Sequence, residues 1–121
     1  MAERYVLVVD NDEAIRDLTV TALRDADLAA VSVADPAAAL EVCRQTPPAL
    51  ILLDPMPATV SDAEFIRAYR ELPGPHGPVI LFSAWNQPEQ HAAEIGADGV
   101  LAKPFELDTF VDLIRGYLSQ E

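Results

Sequence analysis

Short apolar runs alternate with helix-period segments along the whole chain, and four of the five end at a polar or charged residue, the exception being the weaker second run. The runs are Arg4 to Val9, Ala29 to Val33, Ala49 to Leu53, Val79 to Phe82 and Gly99 to Ala102. Each is too short for a helix and bounded by turn residues, so each reads as a strand; continuous rather than alternating apolar character marks strands buried on both faces. Between them, Asp12 and Glu13 open a helix whose inward face is Ile15, Leu18, Ala22 and Leu23, with Arg16, Asp17, Arg24 and Asp25 turned to water. Asp35 caps a second helix, Pro36 takes its first turn, and it runs to about Gln45. Ser61 and Glu64 have capping-box spacing before Phe65, Ile66 and Tyr69. A short helix over 88–95 stops at Gly96, and Leu107, Phe110, Val111, Ile114 and Tyr117 mark the last one. Strict alternation of five strands and five helices predicts a parallel sheet with helices on both faces.

Composition narrows this picture. With 121 residues, half of them hydrophobic, the chain reads as one domain, 1–121, with a two-sided core. Twenty acids against 8 Lys and Arg give a net charge of −12, a field that repels nucleic acid. Neither a charged and apolar leader nor a run near membrane-span length is present, so no membrane association and a cytoplasmic location are expected. The single Cys43 shares a helix face with Leu40 and reads as a small core residue. His76, in the Pro73 to Pro78 turn, and His91 read as exposed residues rather than metal ligands.

The chemistry collects where the strands end. Asp10, Asn11 and Asp12 follow the first strand, Asp54 the third, Ser83 the fourth and Lys103 the fifth. In open parallel sheets these carboxyl ends converge on one rim, which is where ligands bind. Carboxylates about 4 Å apart repel by roughly 4 kcal/mol at an effective dielectric near 20, so the set calls for a cation. Hard oxygen donors suit Mg²⁺, which would offset the charge of an incoming phosphoryl group. Lys103 adds a point charge and Ser83 a hydroxyl. Each residue alone has an ordinary explanation, Asp10 and Asp12 as helix caps, Asp54 as a strand end, Lys103 as a surface charge and Ser83 as a turn residue. Together they describe phosphoryl transfer to an aspartate.

The succession Val8-Val9-Asp10-Asn11-Asp12, Leu52-Leu53-Asp54, Leu81-Phe82-Ser83-Ala84, Gly96-Ala97-Asp98 and Lys103-Pro104-Phe105 resembles the receiver domain of two-component response regulators, at the family's spacing over essentially the whole chain. The resemblance implies a flavodoxin-like, doubly wound five-stranded sheet of order 2-1-3-4-5. It implies that Asp54 accepts a phosphoryl group from a histidine kinase or phosphotransfer protein, that Asp10, Asn11, Asp54 and the Met56 carbonyl hold Mg²⁺, that Lys103 and Ser83 contact the phosphoryl group, and that Pro104 follows a cis peptide bond. It further implies a homodimer or partner face over 86–118, and a switch rather than an enzyme, catalysing only its own phosphoryl transfer and slow autodephosphorylation.

Three departures stand out against that pattern. Asn11 replaces an acid that usually ligates the metal. Pro55 has no N–H to donate, so donation to a phosphoryl group falls to Met56 and Ala84. Val100 occupies a place that is commonly aromatic and moves with the switching hydroxyl, while Trp85, two residues past Ser83, overhangs the site as a gate or lies in a partner-binding patch. Two alternatives follow: a degenerate receiver that only binds protein, and a small aspartate-nucleophile phosphatase. The second rests on the spacing of Asp10 and Asp12, which resembles the haloacid dehalogenase pattern; the glycine and threonine that usually follow are missing.

Overall fold

Every residue of the first strand, Tyr5–Val9 (β1), is buried, as suits a strand with a neighbour on each side. The computed structural model describes residues 5–54, 62–74, 76–83, 96–102 and 107–118. The other strands are β2 (Ala29–Val33), β3 (Leu50–Leu53), β4 (Val79–Ser83) and β5 (Gly99–Ala102), and all pair in parallel in the order β2-β1-β3-β4-β5. That is the expected order. The described helices are α1 (Glu13–Asp25), α2 (Pro36–Gln45), α3 (Asp62–Glu71) and α4 (Leu107–Leu118). The helix expected over 88–95, the Ser61 cap and the loop over 55–60 lie outside the described residues.

Side-chain alternation divides the core in two. Tyr5, Leu7 and Val9 join Ile51, Leu53 and Val79 on one face, packed with Ala39 and Cys43 of α2 and Phe65, Ile66 and Tyr69 of α3. Val6 and Val8 join Leu50, Leu52, Ile80, Phe82 and Leu101 on the other, covered by Leu23 of α1 and by Phe110, Val111 and Ile114 of α4. Phe82 and Phe110 stack with centroids 5.7 Å apart. Each fully buried large side chain contributes about 1.5–3 kcal/mol, so covering both faces is what stabilises a sheet whose strands are only four or five residues long.

The local signals on α2 act as expected. Asp35 Oδ1 accepts from the Ala38 N–H at 2.8 Å and Pro36 occupies the first turn. Helix α1 differs from expectation. Leu18 is 47 % exposed and Thr19 is buried in its place; the Thr19 hydroxyl donates to the Ile15 carbonyl at 2.7 Å, so its polar atom is satisfied inside its own helix. Arg16 and Arg24 do more than face water, because Arg24 Nη2 donates to the Ala30 carbonyl at 2.9 Å and so covers part of the unpaired edge of β2.

Cys43 is buried, as expected. Burial pushes its thiol from about 9 up to about 11, and it also pushes the Tyr5 hydroxyl up to about 12, with the neighbouring Cys43 adding to the effect. For Cys43 the fold favours the neutral thiol, so this contribution to stability is complete below the unfolded value and is lost as pH rises through about 11. A thiol reagent at pH 8 should therefore label the chain only after denaturation; rapid stoichiometric labelling of the native protein would contradict the buried placement.

Candidate functional site

Adjacent parallel strands deliver two carboxylates to one edge. Val9 of β1 stands beside Leu53 of β3, so Asp10 and Asp54 leave neighbouring strands at the same level, where strands run about 4.8 Å apart. Both remain tied to the sheet. Asp10 N–H donates to the Val33 carbonyl at 3.1 Å, and Asp54 N–H donates to the Val9 carbonyl at 2.9 Å. Each therefore extends the ladder one residue beyond its strand, which fixes where its side chain starts.

Asp10 is only 1 % exposed, and a carboxylate is rarely buried so far without partners. Its Oδ1 accepts from the Asp12 N–H at 2.9 Å, and Arg16 Nη1 donates to its main-chain carbonyl at 2.9 Å. Asp54 is half-buried and Asn11 exposed. Asp12, grouped with these acids on sequence, serves instead as the cap of α1: its Oδ1 accepts from the N–H groups of Ala14 and Ile15 at 3.0 and 3.2 Å. The rim among the described residues is thus the Asp10 and Asp54 pair with Asn11 beside it.

Sequence reasoning missed Arg16. A charged residue on an amphipathic helix reads as water-facing, yet helical side chains tilt toward the N-terminus. One turn into α1, Arg16 reaches back to the loop that carries Asp10. Its position four residues after the capping Asp12 was the available signal.

Ser83 ends β4 and pairs with Ala102, the residue before Lys103, so both strands finish on the edge that carries Asp10 and Asp54. The Ser83 side chain and residues Ala84, Trp85, Met56, Lys103 and Pro104 lie outside the described residues. Val100 is half-buried in β5, opposite Leu81. Asp98, part of one family-like motif, belongs to the opposite end of the sheet: its Oδ2 accepts from the Val79 N–H at 2.8 Å and from Arg70 Nη2 at 3.1 Å, so it joins α3 to the starts of β4 and β5. A cavity of about 590 Å³ opens beside β2, lined by Tyr5, Arg24, Val31 and Val42 among others; neither rim carboxylate borders it.

Among the described residues no group of three or more His, Cys, Asp or Glu side chains is assembled for a metal. Two carboxylates and an amide nevertheless fit Mg²⁺, which is commonly held by one or two protein carboxylates while it keeps several waters. Such a set lacks the nitrogen and sulfur donors zinc prefers. The neutral Asn11 lowers the charge of the set, so Asn11→Asp should tighten Mg²⁺ binding by about tenfold, the equivalent of roughly 1.4 kcal/mol. Equal dissociation constants in a metal titration would remove residue 11 from the ligand set.

Residues 6–115 match the family model of the response regulator receiver domain. The transcriptional regulatory protein CseB of Streptomyces avermitilis is 33 % identical over 121 residues, a span of 98 % of this chain and 51 % of that protein. The chain spans about half the length of the curated relatives it matches. Among solved structures, the chemotaxis protein CheY4 of Vibrio cholerae is 25 % identical with a TM-score of 0.79, covering 96 % of this chain and 99 % of that one. A response regulator receiver protein from Burkholderia phymatum is 27 % identical with a TM-score of 0.75, covering 97 % and 96 %. No helix among the described residues is long and apolar enough to cross a membrane.

Proposed function

Because the chain belongs to the response regulator receiver-domain family, we propose that it is a working phosphorylation switch in which Asp54 is the acceptor. The observation that carries this reading is the pairing of Asp54 with the fully buried Asp10 at the carboxyl edge of the sheet. A carboxylate oxygen of Asp54 attacks the phosphorus of a partner's phosphohistidine; the new bond makes an acyl phosphate, and the bond to the imidazole nitrogen breaks as that ring leaves and takes up a proton. Asp10, Asn11, Asp54 and the Met56 carbonyl hold Mg²⁺, whose charge offsets that of the transferring group. Lys103 and the Ser83 hydroxyl meet the phosphoryl oxygens, with N–H donation from Met56 and Ala84. The modification adds about −1.5 to −2 charge, which is the signal.

The partner is a histidine kinase or phosphotransfer protein in the cytoplasm, and the output face runs over 86–118, where Leu113 of α4 is exposed. Relatives twice as long carry names of transcriptional regulators, which points to transcription as the output of a longer regulator containing this domain. Asn11 and Val100 favour a second reading, a degenerate receiver that signals by protein contact alone. Intact mass after incubation with acetyl phosphate and Mg²⁺ separates the two: the switch gains one phosphoryl mass and loses the gain on chelation, whereas the degenerate domain gains none at any Mg²⁺ concentration and with any donor, a cognate kinase included.

A further inference from the structure

Asp10 is anchored at three described points. Its N–H donates to Val33, its Oδ1 accepts from Asp12 N–H, and its carbonyl accepts from Arg16 Nη1. The first two partners are main-chain groups, which side-chain substitutions other than proline leave in place. The third is a half-buried side chain from α1.

The Asp10 carbonyl belongs to a residue that is 1 % exposed, and a carbonyl at such a position needs a donor. A guanidinium supplies a stronger bond than a neutral donor would. Placing a cation there has an electrostatic cost, because it lies near residues that are to receive a divalent cation. In a chain with 20 acids and only 8 Lys and Arg, that cost is offset if the contact decides where the strand-to-helix turn sits. Asp10, Asn11 and Asp12 form that turn, and Asp12 is itself fixed as the cap of the same helix, with Arg16 N–H donating to the Asp12 carbonyl at 2.9 Å. One residue of α1 thus holds both ends of the three-residue turn, Asp10 by its side chain and Asp12 by its main chain.

Resting on the reading of the rim as an Mg²⁺ and phosphoryl site, we infer that Arg16 is a positioning residue for it, holding the Asp10 main chain so that Asp10 and Asn11 are set for the metal before it arrives. Two physical roles for Arg16 predict opposite signs. As a nearby positive charge it weakens Mg²⁺ binding, and removing it tightens binding. As a positioning group it strengthens Mg²⁺ binding, and removing it weakens binding.

The test is a calorimetric titration of the whole chain with Mg²⁺ alone, for the wild type, Arg16→Met and Arg16→Lys, with the metal-free melting midpoint of each. Met keeps the stem without donors or charge; Lys keeps a charged donor for the single bond observed. Positioning predicts a dissociation constant raised about fivefold in Arg16→Met, part of the worth of one charge-assisted hydrogen bond, and restored to within about twofold of wild type in Arg16→Lys. A merely structural contact would lower the melting midpoint and leave the dissociation constant of the folded protein unchanged. Unchanged or tighter binding by Arg16→Met, beside a wild type that binds, overturns the inference and leaves the proposed function standing. A wild type that does not bind Mg²⁺ overturns both. If Arg16→Met does not fold, Arg16→Lys decides, since loss of more than about tenfold there contradicts rescue by a retained donor.

Discussion

Asp10→Asn is expected to raise the melting midpoint of the metal-free protein by about 5 °C and to weaken Mg²⁺ binding by at least tenfold. The substitution keeps the shape and the Oδ1 that accepts from the Asp12 N–H, so the turn and the α1 cap stay in place. What it removes is one of two like charges leaving adjacent strands. For two carboxylates about 5–7 Å apart at an effective dielectric of about 20–40, such repulsion is about 1–3 kcal/mol, and for a chain of this size each kcal/mol moves the midpoint by roughly 3–6 °C. The same charge holds the cation in the proposed site, so stability and function trade against each other here. The gap should close in excess Mg²⁺, where ligand at a hundred times the wild type's dissociation constant stabilises the wild type by about 2.7 kcal/mol and a tenfold weaker variant by only about 1.4. Thermal melts of both proteins with and without Mg²⁺ check this, and a metal-free Asn variant that melts below the wild type would show that the buried acid stabilises the fold.

Gly77→Ala is expected to cost the fold about 3 kcal/mol or more. A β-carbon at residue 77 would sit 2.1 Å from the Ala49 carbonyl oxygen, 2.4 Å from its carbon and 3.0 Å from Leu50 N. All three are backbone atoms where β3 begins, and neither side can give. Ala49 N–H is bonded to the Tyr5 carbonyl at 2.8 Å and Ile51 N–H to the Pro78 carbonyl at 2.9 Å, while the buried Tyr69 hydroxyl holds the Gly77 carbonyl at 3.0 Å. Inserting an atom there must displace β3, the strand that carries Asp54, so the cost is at the high end for overpacking. Gly116→Ala is the control: a β-carbon in that turn of α4 meets nothing within 4 Å, and replacing a glycine inside a helix should add about 0.5–1 kcal/mol of stability. Denaturant midpoints that moved alike for the two variants would contradict the close approach.

The inner strands β1 and β3 were legible because double burial writes them as unbroken apolar runs, whereas the edge strand β2, broken by Ser32 and mostly not buried, carries the weaker pattern. The Asp35 and Pro36 pair was legible for a similar reason, since few sequences other than a helix start use both. Helix α1 was harder. A helix period places both Leu18 and Thr19 near the inward face, and only packing against the sheet decides that Thr19, with its hydroxyl satisfied by Ile15, goes inside.

The site shows the same division. That Asp10 and Asp54 share an edge follows from strand ends alone, and the sheet register bears it out. Asp12 was ambiguous, because a carboxylate just before a helix serves equally as cap or ligand until its two N–H partners are seen. Arg16 left only a faint mark, its spacing from the capping Asp12, because a hydrogen bond to a main-chain carbonyl does not show in a pattern of residue types.

The most direct test of Asp54 as acceptor is chemical trapping of the modified residue. After phosphorylation with acetyl phosphate and Mg²⁺, borohydride reduces an acyl phosphate on aspartate to homoserine, and peptide mass spectrometry reads its position. Homoserine at residue 54 is the predicted result. Homoserine at residue 10, as a phosphatase with Asp10 as its nucleophile would give, would contradict the assignment of Asp54.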